Sequence, residues 1–168
     1  MAGLRHFVVL GTCALLVACS APAVQAPADT TADAAALDGF QKAWASGYNA
    51  GDAAAVVALY TDDATLNPPG APVAKGHAAM QDYFTKDIAG SKAAGITMNI
   101  SAPTDRAISG DAAWETGTWT ATDKSGATAD MGKYVTAFRK KDGKWLIAAD
   151  IWNSDKAPAP PPPAEPTK

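Results

Sequence analysis

The feature that most constrains this chain is a change in the spacing of its apolar residues near position 95. Before it, Leu37, Phe40, Trp44 and Tyr48 recur at intervals of three and four, and Met80, Phe84 and Ile88 repeat the pattern, so each set falls along one side of a helix. After it, Ile96, Met98 and Ile100 alternate with Thr97, Asn99 and Ser101, the period of a strand that buries one face. Helices thus dominate the first half of the chain and strands the second. This order predicts an α+β domain with its helices packed on one face of a mainly antiparallel sheet.

The punctuation agrees. Thr30, Thr31 and Asp33 offer N-caps for the first helix, which ends at "NAGD", where Gly51 serves as C-cap and Asp52 opens a second helix running to Tyr60. "TDDATLNPPGAP" reads as a strand entering a proline-stiffened loop, and Gly76 opens the third helix. Strands near 112–122, 128–139 and 144–152 complete an antiparallel meander through turns at "DKSG" and "KKDG".

The ends of the chain read differently. Six of its 12 prolines fall between Pro158 and Pro166, so 155–168 reads as an extended tail that packs no core. At the other end, Phe7 to Ala18 is an apolar run of about twelve residues, too short to span a bilayer and built like a signal peptide. Leu16, Val17 and Ala18 before Cys19 resemble a bacterial lipobox, which implies cleavage before Cys19 and a lipid on its sulfur, with Ser20 as an outer-membrane address. A disulfide between Cys13 and Cys19 is disfavoured because both lie in or at the edge of the removed segment. The expected organisation is a signal peptide over 1–18, a flexible tether over 19–31 and one domain over 32–154. The expected location is the cell envelope, facing the periplasm.

Several function classes drop out. The net charge of −3 and scattered basic residues argue against nucleic-acid binding. His77 is the one histidine beyond the signal segment and no cysteine follows Cys19, so a typical zinc site is excluded; no phosphate loop or nucleophile elbow occurs, and no cofactor is implied. Asp62-Asp63 is read as a capping pair at a helix end.

The pieces "YNAGDAAAVVALYTDDATLNPPGAPVAKGHAAM" and "GKYVTAFRKKDGKWLIAADIWNSD" resemble the SnoaL-like and ketosteroid-isomerase-like proteins of the nuclear transport factor 2-like superfamily. The resemblance implies a cone: three helices wrapped by a curved sheet around a pocket, often dimerising through the sheet's outer face. It does not imply one chemistry, since the fold hosts isomerases, cyclases, dehydratases and silent binders. Carried over without gaps, the isomerase base falls on Pro68, its tyrosine on Trp44 and its oxyanion acid on Val135, and none can do that work; a one-residue slip brings Asn67 to the base position.

Other residues must then carry the site. A two- or four-residue "KKDG" turn would put Lys133 and Val135 on the face of Ala148, Asp150 and Trp152, making Lys133 and Asp150 a candidate inward pair, as base or polar clamp, or an ordinary surface ion pair. The resemblance places Glu115 and Trp119 inward, whereas an even "DKSG" loop would put Trp114, Thr116 and Thr118 on the face of Lys133; a five-residue loop would reconcile the two. Candidate ligand contacts are therefore Trp44, Tyr48, Asn67, Glu115, Trp119, Lys133, Val135, Asp150 and Trp152. The expected function is binding of a small, largely apolar molecule. An isomerase, cyclase or dehydratase using Lys133 or Asp150, and an envelope interaction module, are the alternatives.

Overall fold

In a computed structural model the chain is described over residues 30–157. The expected signal segment, Cys19, nearly all of the expected tether and the proline-rich residues from 158 lie outside the described residues. The helices are α1 (Thr31–Leu37), α2 (Phe40–Ala50), α3 (Ala53–Val57) and α4 (Gly76–Ala94). The strands are β1 (Tyr60–Asn67), β2 (Ala74–Lys75), β3 (Thr97–Ile100), β4 (Asp105–Ser109), β5 (Ala112–Thr122), β6 (Thr128–Lys141) and β7 (Lys144–Ser154).

The three expected helical segments are present, with two differences. The first breaks at Asp38-Gly39 into α1 and α2, since neither residue favours a helix interior. The second stops at Val57, and Tyr60 begins a strand instead of ending a helix. Gly51 closes α2 in the left-handed conformation at φ 86°, and the Asp52 side chain accepts a hydrogen bond from the Ala55 amide at 2.9 Å, the cap its sequence position suggests. Asp33 does not cap α1. Its carboxylate accepts from Lys140 Nζ at 2.5 Å and Trp145 Nε1 at 3.0 Å, fastening α1 to the β6–β7 hairpin. Asp62-Asp63 likewise cap nothing; they are exposed β1 residues paired with Lys141 and Arg139.

The sheet runs β2-β1-β7-β6-β5-β3, with β4 also pairing β5, and every pairing is antiparallel except β1 with β7. It curves around the helices without closing. Leu37, Val56, Tyr60, Leu66, Met80 and Phe84 form the centre of the core between the two layers.

Two register shifts decide which side chains face that core. The "KKDG" hairpin has a two-residue turn at Asp142-Gly143, both at positive φ. Ala137 then pairs with Ala149 while Phe138 pairs with Ile147, leaving Ala148 as an extra residue on β7. This bulge inverts parity beyond it, so Lys133 pairs with Asn153 and Asp150 pairs with Thr136. The β5–β6 loop has five residues, Asp123 to Ala127, followed by a second shift between Ala121 and Thr122. Both β5 readings therefore hold: Lys133 does stand across from Thr118 beside Thr116, and Glu115 and Trp119 do face inward, because Lys133 faces out.

Candidate functional site

The inward residues line a partly open cavity of about 70 Å³. Phe40, Gln41 and Trp44 reach it from α2, and Met98 and Ile100 from β3. Trp119 comes from β5, Tyr134, Thr136 and Phe138 from β6, and Ile147, Asp150 and Trp152 from β7. Two glycines shape this wall. A Cβ on Gly117 would lie 2.6 Å from the Tyr134 hydroxyl, and one on Gly132 would lie 2.9 Å from the Trp119 ring and 1.7 Å from the Asn153 carbonyl oxygen. Each aromatic ring thus lies over the glycine paired with it across the β5–β6 ladder.

Asp150 is the one charged residue lining the cavity, and it is only 9 % exposed. Its Oδ2 accepts from the Tyr60 hydroxyl at 2.8 Å and its Oδ1 from Thr136 Oγ1 at 3.0 Å. Trp44 Nε1 donates to the Tyr60 oxygen at 3.0 Å, so an indole, a phenol and a carboxylate form one chain. Asn67 Nδ2 donates to the Asp150 carbonyl at 3.2 Å, bracing the strand rather than the carboxylate. Burial pushes the Asp150 carboxyl up to about 6 against the pull of Tyr60 and Thr136. Burial, with the neighbouring Asp150 charge, holds the Tyr60 phenol well above its usual value, so it stays a donor.

Glu115 is a second buried carboxylate, at 0 % exposure, with a different environment. It accepts from Gln41 Nε2 and from Arg106 Nε, the latter at 2.5 Å. Arg106, on β4, also donates to the Ala34 carbonyl at 3.0 Å and to Asp38 Oδ1 at 2.8 Å. This cluster ties the α1–α2 junction to the sheet and neutralises Glu115 in place. Two buried polar atoms of cavity residues are left without a hydrogen-bond partner: Trp119 Nε1, a donor, and Gln41 Oε1, an acceptor.

A sequence model of the SnoaL-like domain matches residues 41–147. The chain belongs to the SnoaL-like family. Solved structures agree on the fold of this SnoaL-like domain. An NTF2-like protein with a cystatin-like fold from Novosphingobium aromaticivorans is 19% identical, with a TM-score of 0.69 over 76% of this chain and 85% of that one. A putative calcium/calmodulin-dependent protein kinase II association domain from Xanthomonas campestris is 25% identical, with a TM-score of 0.57 over 69% and 83%. A ketosteroid isomerase-like protein from Erwinia carotovora atroseptica is 23% identical, with a TM-score of 0.56 over 73% and 96%. No curated protein matches the chain.

Of the residues singled out from the sequence, Trp44, Trp119, Asp150 and Trp152 meet at the cavity. Tyr48 stacks on Trp44 with centroids 5.0 Å apart but turns its hydroxyl to Asp87 and Ser91, at 2.6 and 2.7 Å. Asn67 and Glu115 stand behind the wall in the bonds described above. Lys133 and Val135 require correction: they lie on the outer face, Lys133 with its side chain 62 % exposed and paired with Asp155, Val135 at 47 % exposure. The Ala148 bulge is the cause, and it separates Lys133 from Asp150. Sequence reasoning missed Gln41, Tyr60 and Thr136 as polar members of the site. The alternation of β6 would have exposed Thr136 once Tyr134 and Phe138 were recognised as its inward neighbours.

Proposed function

We propose that this SnoaL-like chain is a binding module, anchored in the outer membrane through lipid on Cys19, that holds a small, largely apolar molecule in its cone. The unpartnered Trp119 N–H and Gln41 carbonyl in an aromatic cavity carry this reading, because buried polar groups left unpaired are costly and a ligand's polar atoms would satisfy them. A cavity of about 70 Å³ favours a molecule of few heavy atoms over a steroid-sized one. Trp44, Trp119 and Trp152 line it, so tryptophan fluorescence reports occupancy. Titration with a panel of alicyclic alcohols and ketones should give a saturable change in the wild type and a weaker one in Trp119→Phe, which keeps a ring but loses the N–H. A response that never saturates for any member would contradict the reading.

Asp150 supports a second reading, an enzyme that moves a proton next to a carbonyl, because a carboxylate near neutral pKa can take a proton and return it. Exchange of a bound ketone's α-protons into deuterium oxide, lost in Asp150→Asn while binding persists, would establish it. The anchor is tested separately: Cys19→Ala should release the chain from membranes, and retention would refute it. Trp114, Met131, Val135 and Ile151, 40 to 51 % exposed, support a homodimer through the outer face, to be read by sedimentation.

A further inference from the structure

The two buried carboxylates of this domain are treated differently. Glu115 has a guanidinium against it, with Arg106 placed on β4 to supply the countercharge. Asp150 has two neutral hydroxyl donors and, among the described residues, enters no ion pair. No lysine, arginine or histidine lines the cavity it faces. A carboxylate removed from water without a cation leaves part of its desolvation cost unoffset. The wall around it is aromatic, from Phe40, Trp44, Trp119, Tyr134, Phe138 and Trp152, and ring faces attract cations most strongly where water is excluded.

We infer that the cavity takes a small organic cation, an ammonium whose charge pairs with Asp150 and whose alkyl groups rest against the aromatic wall. This deepens the binding reading above and rests on it. An anionic ligand would meet Asp150 with no countercharge to offset the repulsion. A neutral ligand would leave the carboxylate uncompensated in a drier site than before. Gln41 Oε1 supplies a further partial negative charge, and the Trp119 N–H can donate to a hydroxyl or ether oxygen carried by the same ligand.

The direction of pH dependence follows from the groups around Asp150. Tyr60 faces it from β1 and remains protonated; Tyr134 on β6, pushed up to about 12 chiefly by burial, does the same; Glu115, in the same cross-strand row on β5, is raised by burial against the pull of Arg106 but lies behind the cavity wall. Asp150 is thus the cavity-lining group whose charge changes below neutrality. With its carboxyl at about 6, it is largely ionised at about pH 7.5 and about one-tenth ionised at about pH 5.

The test compares choline with its neutral carbon isostere, 3,3-dimethylbutan-1-ol, by calorimetric titration of the full chain carrying Cys19→Ala. At about pH 7.5 choline should bind at least about ten-fold more tightly than the isostere, and lose about ten-fold by about pH 5 while the isostere loses nothing. Asp150→Asn should abolish the choline preference and keep isostere binding. Equal or tighter binding of the isostere, or a preference that survives Asp150→Asn, overturns the cation assignment and leaves the small-ligand reading standing. Failure of both probes to bind at millimolar concentration overturns both.

Discussion

Replacing Asp150 by Asn should make this protein more stable at neutral pH. The carboxyl is raised from 3.8 to about 6 by burial, a shift of about two units, and each unit is worth about 1.4 kcal/mol. The unfolded chain releases this proton near pH 3.8 while the folded chain holds it to about pH 6, so rising pH destabilises the wild type across that window. Above it the penalty is complete, about 3 kcal/mol. Asn is neutral throughout and still accepts from one of the two hydroxyls; turning its amide N–H toward the other costs about 1 kcal/mol. The expected net gain at about pH 7 is about 1–2 kcal/mol, several degrees in Tm for a domain of this size, shrinking to nothing or reversing at about pH 4. Urea denaturation of both proteins at the two pH values measures it. A variant less stable than the wild type by the same amount at both would refute the claim that Asp150 is a buried, uncompensated charge.

Other substitutions probe the frame. Arg106→Ala strands Glu115 at 0 % exposure and should cost about 3–5 kcal/mol in urea denaturation, with Arg106→Met/Glu115→Gln recovering part of it. Gly132→Ala drives a methyl to 1.7 Å from a backbone carbonyl, so it should cost about 3 kcal/mol or abolish folding, seen as lost soluble yield or near-UV dichroism. Lys133→Ala, on the outer face, should change stability by less than about 0.5 kcal/mol and leave fluorescence titrations unchanged; a large loss of affinity would mean that the β6–β7 register is wrong.

The fold was legible because the helical stripe through Phe40 and Trp44 and the alternation at Ile96 to Ile100 each match the period of the element they form. The site was legible only in part. "WLIAAD" is apolar or small at five successive positions, so nothing in it marks Ala148 as the bulge that turns Asp150 inward and Lys133 outward. Glu115 was placed by family resemblance where hairpin parity alone gave a different impression, and both proved compatible once Lys133 faced out. Arg106 gave no local signal. Its significance lies in contacts with Ala34 and Asp38, 72 and 68 residues away, and with Glu115 on the neighbouring strand, while the burial alternation of "DRAIS" is not matched by alternating apolar residues in its sequence. Tyr60 was legible only as the end of the second helix, and its role depends on a hydrogen bond spanning 90 positions.

The central claim is that the aromatic cavity holds a small molecule. Native mass spectrometry of the full chain carrying Cys19→Ala, purified gently from its own host, tests it most directly. The account predicts one small added mass per chain, released from the wild type by choline and absent from Asp150→Asn. A bare chain under conditions that preserve the folded charge-state distribution would contradict it.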